Sequence, residues 1–171
     1  ILEKKRKKNW REKIGMGKKK YDSSQFYSPE KLTIPKVVNY FSDLTKDLSV
    51  SVSTGVGTHQ QLSARYFDFD YPKRKWQTSS GHGTMGYDLP SIIGAMIAGE
   101  SDIGICFVGD GSLQLNIQEL ATIKEHNLKI VIVVLNNRRL GIVSQFQLMN
   151  WETDHSTGGK ENPNFAEIAR A

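Results

Sequence analysis

Cysteine occurs once in the 171 residues, at Cys106, which excludes an internal disulfide and any cysteine-based metal cluster. Cys106 lies in the apolar run 103–108, where a buried core thiol is the expectation. Long apolar runs are lacking as well. The longest purely aliphatic one, Ile130 to Leu135, is far too short to span a bilayer. No signal-peptide pattern is present and the first residue is Ile1 rather than Met, so the chain reads as a segment of a longer or processed protein of the cytoplasm. It has no G-x-x-x-x-G-K-[ST] loop and no convincing G-x-G-x-x-G fingerprint at a strand–helix turn, which argues against a nucleotide-binding domain. Basic charge is scarce outside the N-terminus. Residues 1–20 carry ten Lys/Arg against two Glu, whereas the remainder carries thirteen against sixteen Asp/Glu. No aromatic residues interleave with the basic run 4–8, so it lacks a stacking surface for nucleic acid. Residues 1–28 are therefore expected to be a solvated basic connector from a preceding domain, binding neither nucleic acid nor membrane.

What is present suits one domain with a real core: 38% hydrophobic and 24% charged residues. The domain is expected over residues 29–171, truncated at its C-terminus. Thr33 and Pro35 predict a helix start, with Val37, Val38, Phe41 and Leu44 on its apolar face. The stretch 48–52 alternates with serines as a strand does, and a helix is expected over 59–66. A short strand is expected over 76–79 and a helix from Leu89-Pro90 to Gly99. A strand over 103–108, a Gly109-Asp110-Gly111 turn and a helix over 116–126 follow. Residues 130–135 predict a strand covered on both faces. Helices over 140–148 and 165–170 complete the order. This alternation predicts an α/β, doubly wound, mainly parallel sheet with helices on both faces, and a ligand site at the carboxyl ends of its strands.

Three strand-ending turns are rich in chemistry-bearing residues: Gly55-Val56-Gly57-Thr58-His59-Gln60, Gly109-Asp110-Gly111-Ser112 and Asn136-Asn137-Arg138-Arg139-Leu140-Gly141. Asp110 offers an anionic oxygen suited to Mg²⁺. Gly109 and Gly111 let the backbone approach a phosphate, and Ser112 lies at or just before a helix start, where free N–H groups favour anions. Asn137 follows Asp110 by 27 positions, an interval that fits one helix and one strand and returns the chain to the same sheet edge. Its amide oxygen, with the backbone carbonyl of Arg139, can complete an oxygen shell.

Together these turns resemble thiamine-diphosphate-dependent enzymes. The stretches Thr78-Ser79-Ser80-Gly81-His82-Gly83-Thr84-Met85-Gly86-Tyr87-Asp88-Leu89-Pro90 and Gly109-Asp110-Gly111-Ser112-Leu113-Gln114-Leu115-Asn116-Ile117-Gln118-Glu119-Leu120-Ala121-Thr122 are similar to the acetolactate synthase branch. The resemblance implies a C-terminal domain binding the cofactor's diphosphate. Asp110, Asn137 and the main-chain oxygen of Arg139 would be Mg²⁺ ligands. Gly111 and Ser112 would meet the diphosphate, with Val56, Gly57, Thr58 and His59 on its other side and Gly141 and Ile142 close by. Gly83 would accept from the pyrimidine amino group and Met85 would donate its amide to a ring nitrogen. For His59 a phosphate-side hydrogen bond is favoured over acid–base work.

The resemblance further implies an enzyme acting on a 2-keto acid such as pyruvate, a carboligase of the transferase or lyase type. A decarboxylase of other specificity and a non-catalytic binding module are the alternatives. The activating glutamate is expected on a separate pyrimidine-binding domain. No catalytic residue is therefore assigned to this segment, and alone it is expected to be inactive. A homodimer or tetramer is expected through that domain, with FAD possible in the full-length protein. Three positions depart from the biosynthetic synthases: Phe146 stands for a usual tryptophan, Thr58 for glutamine and Asp88 for glycine. His82 replaces a small or apolar residue, with a substrate contact as one option.

Overall fold

The computed structural model describes residues 30–99, 101–155, 157–158 and 161–171, together with Asn9, Trp10, Glu12, Lys13 and Met16. Apart from those five residues, the connector expected over 1–28 lies outside the described residues.

The chain alternates helix and strand: α1 (Ile34–Leu44), β1 (Val50–Thr54), α2 (Thr58–Tyr66), β2 (Arg74–Thr78), α3 (Asp88–Ile97), β3 (Ile103–Gly109), α4 (Asp110–Leu115), α5 (Leu120–Glu125), β4 (Ile130–Leu135), α6 (Gly141–Trp151) and α7 (Phe165–Ile168). Among the described residues the strands form one sheet in the order β2-β1-β3-β4, and every pairing is parallel. From β1 the chain moves outward to β2, then returns past β1 to β3 and continues to β4 on the opposite side. The order reverses between β1 and β3, and such a switch point opens a crevice at the strands' carboxyl ends.

Side-chain alternation along the strands divides the core. Val50 and Val52 of β1 and Ile105 and Phe107 of β3 share one face with Val38 of α1 and Phe67, which follows α2. Cys106 and Val108 face the other way, toward Leu89, Ile92 and Ile93 of α3 and Leu113 of α4. Each fully buried aliphatic or phenylalanine side chain contributes roughly 1.5–3 kcal/mol. The serines of β1 bury too, because α3 covers their face: Ser53 donates to the carbonyl of Asp88 at 2.8 Å, and Ser51 pairs with Ser101 at 2.9 Å. Gly104 marks the closest helix–sheet approach. A Cβ there would lie 2.9 Å from both Ile92 Cγ1 and Met96 Cγ.

Several boundaries differ from expectation. β1 spans 50–54 rather than 48–52, since Ser49 gives its N–H to the Asp102 carboxylate at 2.8 Å and sheet pairing starts at Val50. β2 begins at Arg74, whose buried guanidinium donates to the Ser42 carbonyl at 2.8 Å. The expected helix over 116–126 breaks into a 3-10 turn, Ile117–Glu119, and α5; Asn116, at φ −136°, turns its amide to the Gly86 carbonyl instead. β4 touches apolar groups on both faces, yet all six of its residues remain half-buried, because among the described strands only β3 pairs with it. α6 runs to Trp151, where Glu152 ends it at φ +53°. No helix among the described residues is long and apolar enough to cross a membrane.

Candidate functional site

Parallel pairing sets the ends of β3 and β4 level: Gly109 lies opposite Leu135, so Asp110 and Asn136 leave the sheet side by side. β1 ends at Thr54, opposite Phe107 and two residues short of the end of β3. The segments that follow enclose a crevice of about 280 Å³. It is lined by Val56, Gly57, Thr58 and His59 after β1, and by Gly83 and Met85 before α3. After β3 come Asp110, Gly111 and Ser112; after β4 come Asn137, Arg139, Gly141 and Ile142. The sequence-predicted site residues are thus all brought to one place. His82 is not among the lining residues; it is exposed on the 3-10 turn Ser80–His82. Glu119 serves locally, accepting from the Thr122 hydroxyl at 2.8 Å.

Gly109-Asp110-Gly111 is not a free turn: Gly109 is the N-cap, and Asp110 already belongs to α4. Ser112 consequently sits inside the first turn, where backbone N–H groups have no intrahelical acceptor. Asp110 is only 6% exposed, and its Oδ2 accepts from Asn162 Nδ2 at 2.6 Å. The same amide nitrogen reaches Asn136 Oδ1 at 2.8 Å, so one side chain ties the β3 and β4 ends together.

The β4 turn is held by its own side chains. Asn136 Oδ1 accepts from the Arg138 N–H at 3.2 Å, and Asn137 Oδ1 from the Arg139 N–H at 3.1 Å. Such Asx bonds favour the left-handed conformation seen at Arg138, φ +56°. The Arg139 guanidinium pairs with Asp154 at 2.9 Å, and Asp154 also accepts from the Ser144 hydroxyl at 2.6 Å. Leu140 N–H donates to the Thr157 carbonyl at 2.8 Å, which fastens the following loop over this turn.

Close packing fixes the crevice walls. A Cβ on Gly141 would lie 2.7 Å from Asn137 Nδ2 and 2.8 Å from Thr58 Oγ1. Gly57 has φ +139°, which a side chain would strain, and Gly83 is left-handed at φ +60°. Among the described residues no group of three or more His, Cys, Asp or Glu side chains could hold a metal ion. Any cation at this rim must therefore combine the Asp110 carboxylate with amide, backbone and ligand oxygens, a donor set that suits Mg²⁺ shared with a phosphate.

The sequence reading missed the site's supporting groups. Asp88 is fully buried beneath the crevice and bonds to Gly55, His59 and Ser112. Its signals were its place at a helix start after Gly86 and its standing where the biosynthetic synthases carry glycine, and neither points to its partners. Asn162 and Asp154 lie in a polar loop that carries no local signal at all.

The family model for the thiamine pyrophosphate enzyme C-terminal TPP binding domain matches residues 55–171. The chain is 40% identical over 153 residues to the acetolactate synthase isozyme 3 large subunit of Escherichia coli, which covers 89% of this chain and 26% of that protein. It is 37% identical to the acetolactate synthase large subunit of Buchnera aphidicola from Schizaphis graminum, covering 96% of this chain and 28% of the relative. To acetolactate synthase 2, chloroplastic, of Nicotiana tabacum it is 36% identical, covering 93% and 24%. The chain thus spans about a quarter of the length of these relatives. With the family match falling on the three crevice-forming turns, the chain belongs to the thiamine pyrophosphate enzymes, as a C-terminal TPP-binding domain.

Proposed function

We propose that the crevice holds the diphosphate of thiamine diphosphate with Mg²⁺, within an enzyme that acts on a 2-keto acid such as pyruvate as an acetolactate synthase-like carboligase. The observation that carries this reading is the buried Asp110 carboxylate at a glycine-walled rim where the β1, β3 and β4 turns meet. In this reading the Asp110 and Asn137 side chains and the Arg139 carbonyl ligate the cation. Gly111 and Ser112 offer backbone N–H groups to the diphosphate, and residues 56–59 close its other side, with Gly141 and Ile142 adjacent. Gly83 and Met85 present main-chain groups to the pyrimidine. Thiamine diphosphate, when bound, supplies the electron sink for cleavage beside a keto-acid carbonyl. This domain's part is binding and orientation. The activating glutamate is assigned to a pyrimidine-binding domain, so the working site forms across a subunit interface in a cytoplasmic homodimer or tetramer, with FAD as a further cofactor of the full-length protein.

Phe146 supports keeping a decarboxylase as the second reading. It stands where the biosynthetic synthases carry tryptophan, and here it is 56% exposed against Trp151 and is not among the residues lining the crevice. Titrating the full-length protein calorimetrically with thiamine diphosphate, with and without Mg²⁺, tests the first claim. Binding is expected to require the metal, and ATP to give no heat. Product analysis after pyruvate consumption separates carboligation from decarboxylation. Turnover independent of the cofactor would overturn the proposal.

A further inference from the structure

Asp88, the first residue of α3, is 0% exposed and makes more side-chain contacts at this site than the function above accounts for. Its Oδ1 accepts from the Gly55 backbone N–H and lies 3.1 Å from His59 Nε2; its Oδ2 accepts from the Ser112 hydroxyl. The Ser112 oxygen in turn accepts from the Gly86 N–H at 2.7 Å. One carboxylate therefore joins the turn after β1, the start of α2 and the first turn of α4. Gly55 is required by this contact, since a Cβ there would come within 2.8 Å of Asp88 Cγ.

The hydrogen directions follow from the donor inventory. A backbone N–H can only donate, so Asp88 Oδ1 is an acceptor. Ser112 Oγ already receives the Gly86 N–H, which leaves its own hydrogen for Asp88 Oδ2. With both carboxylate oxygens accepting, His59 donates to Asp88 through Nε2–H, which leaves Nδ1 as the ring nitrogen directed away from Asp88. Nδ1 is the nitrogen packed at the glycine wall: a Cβ on Gly57 or Gly109 would lie 3.1 or 3.3 Å from it. His59, Gly57 and Gly109 all line the crevice.

We infer that Asp88 is a positioning residue for the anion-binding side of the crevice: it holds His59 with Nε2–H turned inward and Nδ1 toward the ligand, and it takes the Ser112 hydroxyl hydrogen, so that Ser112 meets an anion only through its main chain. This rests on the reading of the crevice as a diphosphate site for its ligand, though not for its hydrogen-bond geometry.

The test uses the full-length protein labelled with ¹⁵N-histidine. Without ligand, long-range ¹H–¹⁵N correlation is expected to show His59 with hydrogen on Nε2; hydrogen on Nδ1 alone overturns the inference. With Mg²⁺ present, Asp88→Asn is expected to weaken thiamine diphosphate binding about tenfold, equivalent to about 1.4 kcal/mol. In Asp88→Asn/His59→Asn the two losses should not add, because Asp88 acts through His59. Additive losses, or an Asp88→Asn affinity within twofold of wild type, overturn it. Should Asp88→Asn fail to fold, the wild-type tautomer decides. A wild-type protein that binds no thiamine diphosphate defeats the diphosphate reading, and the ligand-free tautomer then decides this inference.

Discussion

Asn162 donates its side-chain amide to Asp110, Nδ2 to Oδ2 at 2.6 Å, across a separation of 52 positions. Gln114 holds Asn162 from behind at 3.3 Å, and Asn136 receives the same nitrogen at 2.8 Å. A carboxylate held in this way presents its oxygens in a fixed direction. Outer hydrogen bonds of this kind set the affinity of metal-binding ligands.

Asn162→Ala is therefore expected to weaken Mg²⁺ binding about 10- to 100-fold at saturating thiamine diphosphate. Asp110→Ala removes the anionic ligand itself and should abolish metal-dependent cofactor binding. Calorimetry with Mg²⁺ as titrant checks both. An Asn162→Ala affinity equal to wild type would detach Asn162 from the site.

Gly141→Ala places a methyl group where Asn137 Nδ2 and Thr58 Oγ1 now approach. Both are ends of side chains that can swing aside, so the fold should survive while the crevice narrows. The expected outcome is a Tm within a few degrees of wild type, with cofactor affinity reduced on the order of tenfold, a change of about 1.4 kcal/mol. Thermal denaturation beside a binding titration separates the two effects. A large drop in Tm would show that the glycine serves the fold instead.

Gly104→Ala is the converse case, far from the crevice. The added methyl meets the fully buried Ile92 and the half-buried Met96 between α3 and β3. Overpacking of this kind costs about 1–3 kcal/mol. Urea denaturation should show a lower midpoint with an unchanged slope, and a midpoint equal to wild type would contradict the close helix–sheet approach.

Burial pushes the Cys106 thiol up to about 12, with Asp88 adding to the rise and a hydrogen bond from Ser53 opposing it. In the folded protein it should resist alkylation at pH 8 and become reactive only on unfolding. Its folded pKa is raised, so the thiol's contribution to stability is complete below its ordinary value near 9.0 and is lost as pH rises from there toward 12. Tyrosines and lysines titrate in the same window, so the measurement is the stability difference between wild type and Cys106→Ala at each pH. A difference that stays flat between pH 8 and 11 would refute it.

Local chemistry made much of this domain legible. The continuous aliphatic stretch Ile130–Leu135 coincides with β4, and the glycine-bounded run from 103 coincides with β3. The Gly-Asp-Gly-Ser and Asn-Asn turns stood out because they follow apolar strands at an interval that returns the chain to the same sheet edge. Boundaries were less legible where a distant partner decided them. Asn116 breaks the expected helix because the Gly86 carbonyl claims its amide, and β1 starts late because Asp102 claims the Ser49 N–H. The serines of β1 marked a strand by their alternation, and the packing of α3 buries them.

The amino-acid order alone determined the alternating fold, since helix and strand patterns are local, and its motifs carried the resemblance that named the cofactor class and the rim residues. Tertiary structure alone decided which groups support that rim: Asp88 beneath His59 and Ser112, Asn162 behind Asp110, and Asp154 on Arg139. These are pairings between segments far apart in the chain. Their strength comes from burial and direction, and neither is a property of any one stretch of sequence.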